Sequence, residues 1–221
     1  MAAFDENRLQ ELETLTRDYA RYSRSAGGLA SVLGGLCCIA SYLVGGLLPV
    51  SPTLRIVLVA LPLSWLLAKQ ILARRYYQRF GHVEEQETTA VRRTHVFCVG
   101  VVLLVAVLVT AGTRAWPLGA DKLGYLALLW LLVPVGWFWL RSPLQFFVGT
   151  FLFCQAAVSC AGFAYPVIGT AGAAANPPMA LLALLFPLAA LLFIGTGVAD
   201  HRRFLALRKR LTHLGGAGEG A

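Results

Sequence analysis

The chain is 221 residues long, 57% hydrophobic and only 14% charged, with a mean hydropathy of +0.67. Soluble domains average about 25% charged residues, so this composition excludes an ordinary soluble domain and points to a membrane. A net charge of +8 would suggest a nucleic-acid partner in a soluble chain; here it implies basic residues gathered near the anionic lipid of the inner leaflet, and no nucleic acid is expected.

Residues 1–25 read as an amphipathic interfacial helix. Phe4, Leu9, Leu12, Leu15, Tyr19 and Tyr22 recur at helical spacing, Asp5 is placed to cap the start, and Glu6, Glu11 and Glu13 precede Arg17, Arg21 and Arg24. Acids before bases suit the helix dipole. Such a helix lies flat on the inner membrane surface or pairs with a cytosolic partner. The first 25 residues mix acids and arginines without an apolar core, so no cleavable signal peptide is expected.

Residues 26–200 predict a six-helix transmembrane bundle, with spans at about 26–48, 54–73, 95–112, 123–140, 144–168 and 179–199. Each is near the ~20 residues that cross ~30 Å of hydrocarbon. Arg141, Ser142 and Pro143 divide the fourth span from the fifth, so a tight helical hairpin is expected there. The expected fold class is an all-α integral membrane protein with both termini cytoplasmic. Sixteen of the 19 lysines and arginines then lie inside, leaving only Arg55, Arg114 and Lys122 outside. That bias is what the positive-inside rule requires of an even number of spans in the inner (cytoplasmic) membrane. Tyr76, Tyr77, Trp137 and Trp139 near the inner face, and Trp116, Tyr125 and Tyr165 near the outer, form an aromatic belt.

The longest polar interval, 74–94, carries five arginines and three glutamates. Arg74, Arg75, Arg79, Glu84, Glu85, Arg92 and Arg93 are candidates for docking a cytosolic partner, although a solvated charged face is the plainer reading of Glu84 and Glu85. The tail, 201–221, is basic; Phe204, Leu207, Leu211 and Leu214 share one side, so the sixth helix is expected to extend into the inner interface.

Within the spans, Pro62, Pro134 and Pro187 occupy the interiors of the second, fourth and sixth segments, where proline removes a backbone donor and kinks a helix. Three duplicated hairpins would explain the recurrence. Unequal intervals of 72 and 53 residues, and the general frequency of proline in membrane helices, argue against it. Gln145, Gln155 and Ser159 are the most polar intramembrane residues; they serve as interhelical hydrogen-bond partners or mark a substrate site. Gly27, Ser31, Gly35 and Cys38 form a small-residue ridge for close packing on a helix of this chain or of a second copy, so a homo-oligomer stays open.

Nothing in the sequence resembles a catalytic set. No Gly-x-Ser-x-Gly, phosphate loop or His-Glu-x-x-His occurs, and an enzyme is not expected. No carboxylate, lysine or arginine is placed at mid-membrane depth, which disfavours proton-coupled carriers. His95 and Cys98, with His201, are too few for a closed zinc site, and the five cysteines sit in apolar runs without a CxxC pair. No cofactor is expected.

In layout, a flat N-terminal helix, six spans and a charged loop after the second resemble the membrane subunit of a type-2 ATP-binding-cassette exporter. That resemblance covers the whole chain but rests on no sequence motif, and it implies a loop that docks on an ATPase. This chain departs from the class in its short spans and its small last outer loop. The expectation is therefore a small polytopic protein serving as a permease-like subunit with a cytosolic partner or ATPase. The alternatives are a non-transporting anchor or regulatory module and, last, a membrane enzyme acting on lipid.

Overall fold

A computed structural model describes residues 10, 13–19, 28–49, 51–77, 89–115, 120–140, 142–161, 166–174 and 177–216. Among these there is no strand. The helices are α1 (13–19), α2 (Leu29–Leu47), α3 (Pro52–Leu72), α4 (Thr89–Ala115), α5 (Ala120–Trp139), α6 (Pro143–Cys160), a short α7 (Ala171–Ala174) and α8 (Pro177–Gly216). A π-helical turn, Ala73–Tyr77, continues α3.

Among the described residues, five helical stretches are long and apolar enough to cross a membrane: Leu29–Leu47, Pro52–Arg75, Thr89–Ala111, Pro143–Cys160 and Ala183–Leu211. In α5 the corresponding apolar stretch is shorter, Leu126–Trp139. The outward faces carry Ile56, Phe97, Leu108, Leu181 and Leu192, all more than half exposed. Soluble monomers rarely expose such continuous apolar surface; a multi-pass membrane protein requires it.

Local chemistry explains the starts. Ser51 caps α3 by accepting from Leu54 N at 3.2 Å, and Ser142 caps α6 by accepting from Gln145 N at 3.4 Å; each is followed by a proline at the first helical position. Proline there loses no intrahelical bond, and a serine oxygen satisfies one of the free N–H groups. The expected break at Ser142 and Pro143 is thus a capped helix start.

The six long helices run alternately up and down. At one end the start of α2, the end of α3 and the later part of α8 meet in a cluster of Tyr19, Ala30 and Phe204, with Leu72, Ala73 and Leu211 against it. Lys69 Nζ donates to Trp139 O, and His95 Nε2 lies 3.2 Å from Trp137 O, which brings the end of α5 and the start of α4 to the same end. At the other end Tyr42 donates to Ala183 O at 2.8 Å, and Cys160 Sγ lies 3.7 Å from Arg55 O.

Helix α6 is the hub, packed on α2, α3, α4 and α5, while α8 lies along α2. The core centres on Trp65, which is wholly buried and donates its indole N–H to Ala30 O at 2.8 Å. Gly34 and Gly149 leave room for that ring: a Cβ on either would sit within 3.5 Å of Trp65 atoms.

Several expected boundaries shift. Helix α4 starts at Thr89 instead of 95, because Ala90, Val91, Arg92 and Arg93 continue the helix without a breaker and Thr94 Oγ1 donates back to Ala90 O at 3.0 Å. Helix α6 ends at Cys160 instead of near 168; Pro166 follows, and Gly169 adopts φ 86°, a left-handed turn. Helix α8, by contrast, continues past the membrane to Gly216 as expected from the apolar side of the tail, since no glycine or proline intervenes between Gly197 and Gly215. The small last connection contains α7.

The three prolines lie inside α3, α5 and α8 as expected, but in unlike settings: Pro62 is buried, Pro187 half-buried and Pro134 exposed. Nor are the hairpins equivalent. Helix α2 packs on α3 and α4 on α5, whereas α8 lies along α2 and meets α6 through Phe151, whose ring is 5.3 Å from that of Phe186. The packing therefore lacks the threefold regularity that a triplicated hairpin would produce.

Candidate functional site

Two features qualify: a basic face at one end of the bundle, and a buried polar position inside it. Arg74 and Arg75 are exposed on the π-helical turn that continues α3, and Arg92 and Arg93 are exposed on the first turns of α4. Helix therefore claims both edges of the expected 74–94 loop. Arg79, Glu84 and Glu85 lie outside the described residues. On α8, Arg202, Arg203, Lys209 and Arg210 are exposed at the same end, and Arg203 pairs loosely with Asp200 at 3.9 Å.

Helix α1 belongs to this face. The rings of Tyr19 and Phe204 stack with centroids 5.7 Å apart and planes 30° off parallel, and both are buried. Arg17 and Glu13 form an exposed ion pair at 3.0 Å on the opposite side of α1. The hydrophobic stripe read from sequence thus meets α8 through Tyr19. The 1–12 part of that stripe, Gln10 apart, is outside the described residues, as is Tyr22.

The polar candidates divide. Gln155 and Ser159 are one turn apart and both buried; Gln145 is also buried but lies ten residues earlier, about 15 Å along the helix, so it is not part of one site with them. Gln155 stands out chemically. Its side chain is 1% exposed, and among the described residues neither its amide oxygen nor its amide nitrogen has a hydrogen-bond partner. Leaving such a group unsatisfied costs about 1–3 kcal/mol. Gly34 of α2 abuts Val148 of α6, and these helices run parallel, so seven residues further on Ser41 and Gln155 share a depth. Ser41 is buried as well.

The small-residue ridge on α2 finds its partner within the chain. A Cβ on Gly35 would lie 2.7 Å from Ala190 O, and one on Gly197 would lie 2.6 Å from Gly28 O. Gly28 takes φ 85°, so its backbone as well as its lack of a side chain demands glycine. Ser31 is buried; Gly27 lies outside the described residues.

His95 has an aromatic setting: its ring is 5.6 Å from Trp137 and 5.4 Å from Phe146, edge-on to both. Among the described residues no three His, Cys, Asp or Glu side chains converge as a metal site would need. The five cysteines are free thiols on α2, α4 and α6.

Two residues escaped the sequence reading. They are Trp65 and Lys69, neither singled out by its local pattern. Each is in fact a buried donor to a backbone carbonyl of another helix. Both partners, Ala30 and Trp139, are distant in sequence, and no local pattern announces such a pairing. No protein-family model, curated protein or solved structure matches this chain.

Proposed function

We propose that the chain is a six-span protein of the inner membrane, with both termini cytosolic, that anchors a soluble partner protein against its basic face. Helix α8 carries the reading. At 40 residues it is about 60 Å long, twice the ~30 Å of hydrocarbon, so a large part of it projects beyond the bilayer. The projecting part is the basic one, and α1 is stacked on it through Tyr19 and Phe204. The ends of α3 and α4 bring four more exposed arginines to the same end. A rigid, basic, helix-built platform continuous with the spans suits an acidic patch on a soluble protein. The orientation follows from keeping these cations in the cytosol.

The packing suits an anchor: α6, the hub, packs on four other helices. A permease-like subunit driven by a cytosolic ATPase is the second reading. It is favoured by Gln155, whose unsatisfied amide is the kind of group that a transported polar solute would engage.

Capture from detergent extracts tests both. The native chain should retain a soluble protein, and the fourfold variant Arg74→Ala, Arg75→Ala, Arg92→Ala, Arg93→Ala should lose most of it. Recovery of a nucleotide-binding ATPase would select the permease-like reading, and a partner of another kind the anchor. Equal capture by native chain and variant would remove the basic face from the argument.

A further inference from the structure

The seam between α2 and α8 keeps one register along its length. Gly28 meets Gly197, Gly35 meets Ala190 and Tyr42 meets Ala183, each contact seven residues from the next on both helices. The first two bring backbone close against backbone. At the third stands a tyrosine, whose ring has no room at that spacing, so the seam must widen between Ala190 and Ala183. Pro187 lies in that interval, inside α8. Proline kinks a helix and lacks the N–H that would bond the carbonyl four residues back, here Ala183 O. Tyr42 Oη donates to that same oxygen at 2.8 Å. The hydroxyl thus supplies from α2 the hydrogen bond that Pro187 deletes from α8. It also accepts from Ile168 N at 2.9 Å, which ties the chain after α6 to the same point.

This junction stands over the enclosed amide. Tyr42 and Val167 are buried together, with Phe186 and Val158 packed against them. Val158 follows Gln155 by three residues on α6, and Tyr42 follows Ser41, which shares the depth of Gln155. The cluster therefore covers Gln155 on the side away from the basic platform. Inward of Pro187, α8 is locked to α2 at Gly35 and Gly28; outward of it, Leu181, Leu184 and Leu185 are exposed.

We propose that the outer end of α8, as far as Phe186, is a gate over Gln155, hinged at Pro187 and latched by Tyr42. Closed, it keeps the amide dry. Swung away from α2, it admits water to Gln155, and hydration of the amide offsets part of the cost of parting the cluster. The gate lies at the end opposite the platform and needs no partner there, so it can fail without the anchor reading failing. On the permease-like reading it becomes the outer entrance.

The test uses the full chain in lipid nanodiscs, with Gln155→Cys as the reporter. A charged methanethiosulfonate reaches that thiol only through water, and labelled sites are read by peptide mass spectrometry, so the native cysteines stay in place. Adding Tyr42→Phe should speed labelling at position 155 about tenfold, the effect of losing one hydrogen bond to a buried carbonyl. Native Cys38, wholly buried one turn inward of Tyr42 on α2, should keep its rate. In a Pro187→Ala background the regained N–H bonds Ala183 O, so Tyr42→Phe should then change labelling by only about twofold. Unchanged labelling on Tyr42→Phe would overturn the proposal. So would an effect of the same size with and without Pro187→Ala, since the tyrosine would then not stand in for the missing bond. A matching rise at Cys38 would overturn it as well, because the bundle would be loosening as a whole.

Discussion

Replacing Phe204 by alanine is the sharpest test of how the N-terminal helix is held. The ring is 1% exposed and stacks on Tyr19, itself 3% exposed, while Ala30, Leu72 and Leu211 close the same cluster. Truncating a buried phenylalanine costs about 3–5 kcal/mol in total. Part of that falls on the α2, α3 and α8 contacts. The share borne by α1 is the ring pair, about 0.5–1.5 kcal/mol, together with the packing that Tyr19 loses, or about 2 kcal/mol altogether. Local opening of 13–19 should then be about 30-fold more frequent. Hydrogen exchange on the full chain in lipid nanodiscs reads this directly: peptides covering 13–19 should lose protection by that factor, while those from α6 keep theirs. Leu205→Ala, at an exposed neighbour, should change neither. If Phe204→Ala lowers thermal stability but leaves the exchange of 13–19 untouched, then α1 is held by lipid and not by α8.

Other substitutions probe the interior. Gly35→Leu should destabilise by about 1–3 kcal/mol or more, because the new side chain meets the Ala190 carbonyl, and backbone cannot step aside. Gly195→Leu, where a Cβ would meet nothing within 4 Å, should leave the melting temperature unchanged. Lys69→Met removes the donor to Trp139 O; it should cost about 1–3 kcal/mol and raise hydrogen exchange at the end of α5 and the start of α6. Gln155→Leu should stabilise the chain by about 1–3 kcal/mol, since it replaces an unpartnered buried amide with a side chain of similar size. A fall in melting temperature for Gln155→Leu would mean that the amide is satisfied in the membrane by water or a solute.

What could be read from the sequence was what local physics determines. Hydropathy finds apolar runs, and Ser-Pro pairs mark where α3 and α6 begin, so the division between α5 and α6 at Ser142 was legible. The apolar side of His201 to Leu214 announced that the last helix runs past the membrane; the early start of α4 was not legible, because hydropathy falls over Ala90 to Arg93 while helix propensity does not. The small-residue ridge was visible as a pattern, yet its partner could not be named. Gly28 and Gly197 meet across 169 positions of sequence, and nothing in either neighbourhood points to the other. For the same reason Gln155 and Ser159 could be put on one face, but only the packed helices show that Gln155 is enclosed and unsatisfied.

The height of the platform is set twice over, by unrelated forces. Along α8 the apolar run gives way at Asp200, His201, Arg202 and Arg203, and pulling an arginine to the bilayer centre costs about 2.5–3.5 kcal/mol. Sliding α8 a few turns into the membrane would submerge Arg202 and Arg203, and further sliding would add Arg208, Lys209 and Arg210. Gly197, about 7.5 Å before Arg202, sits where α8 crosses the start of α2 with backbone against backbone, and a helix locked by such a contact cannot slip without a clash. Solvation thus fixes α8 against the bilayer, and sterics fix it against α2, within two turns of each other. Phe204 lies seven residues beyond Gly197 on the same rod, so the surface that α1 and α8 present stands at a defined distance from the headgroups. On the proposed reading as an anchor, that defined distance would set the spacing of a soluble partner above the membrane.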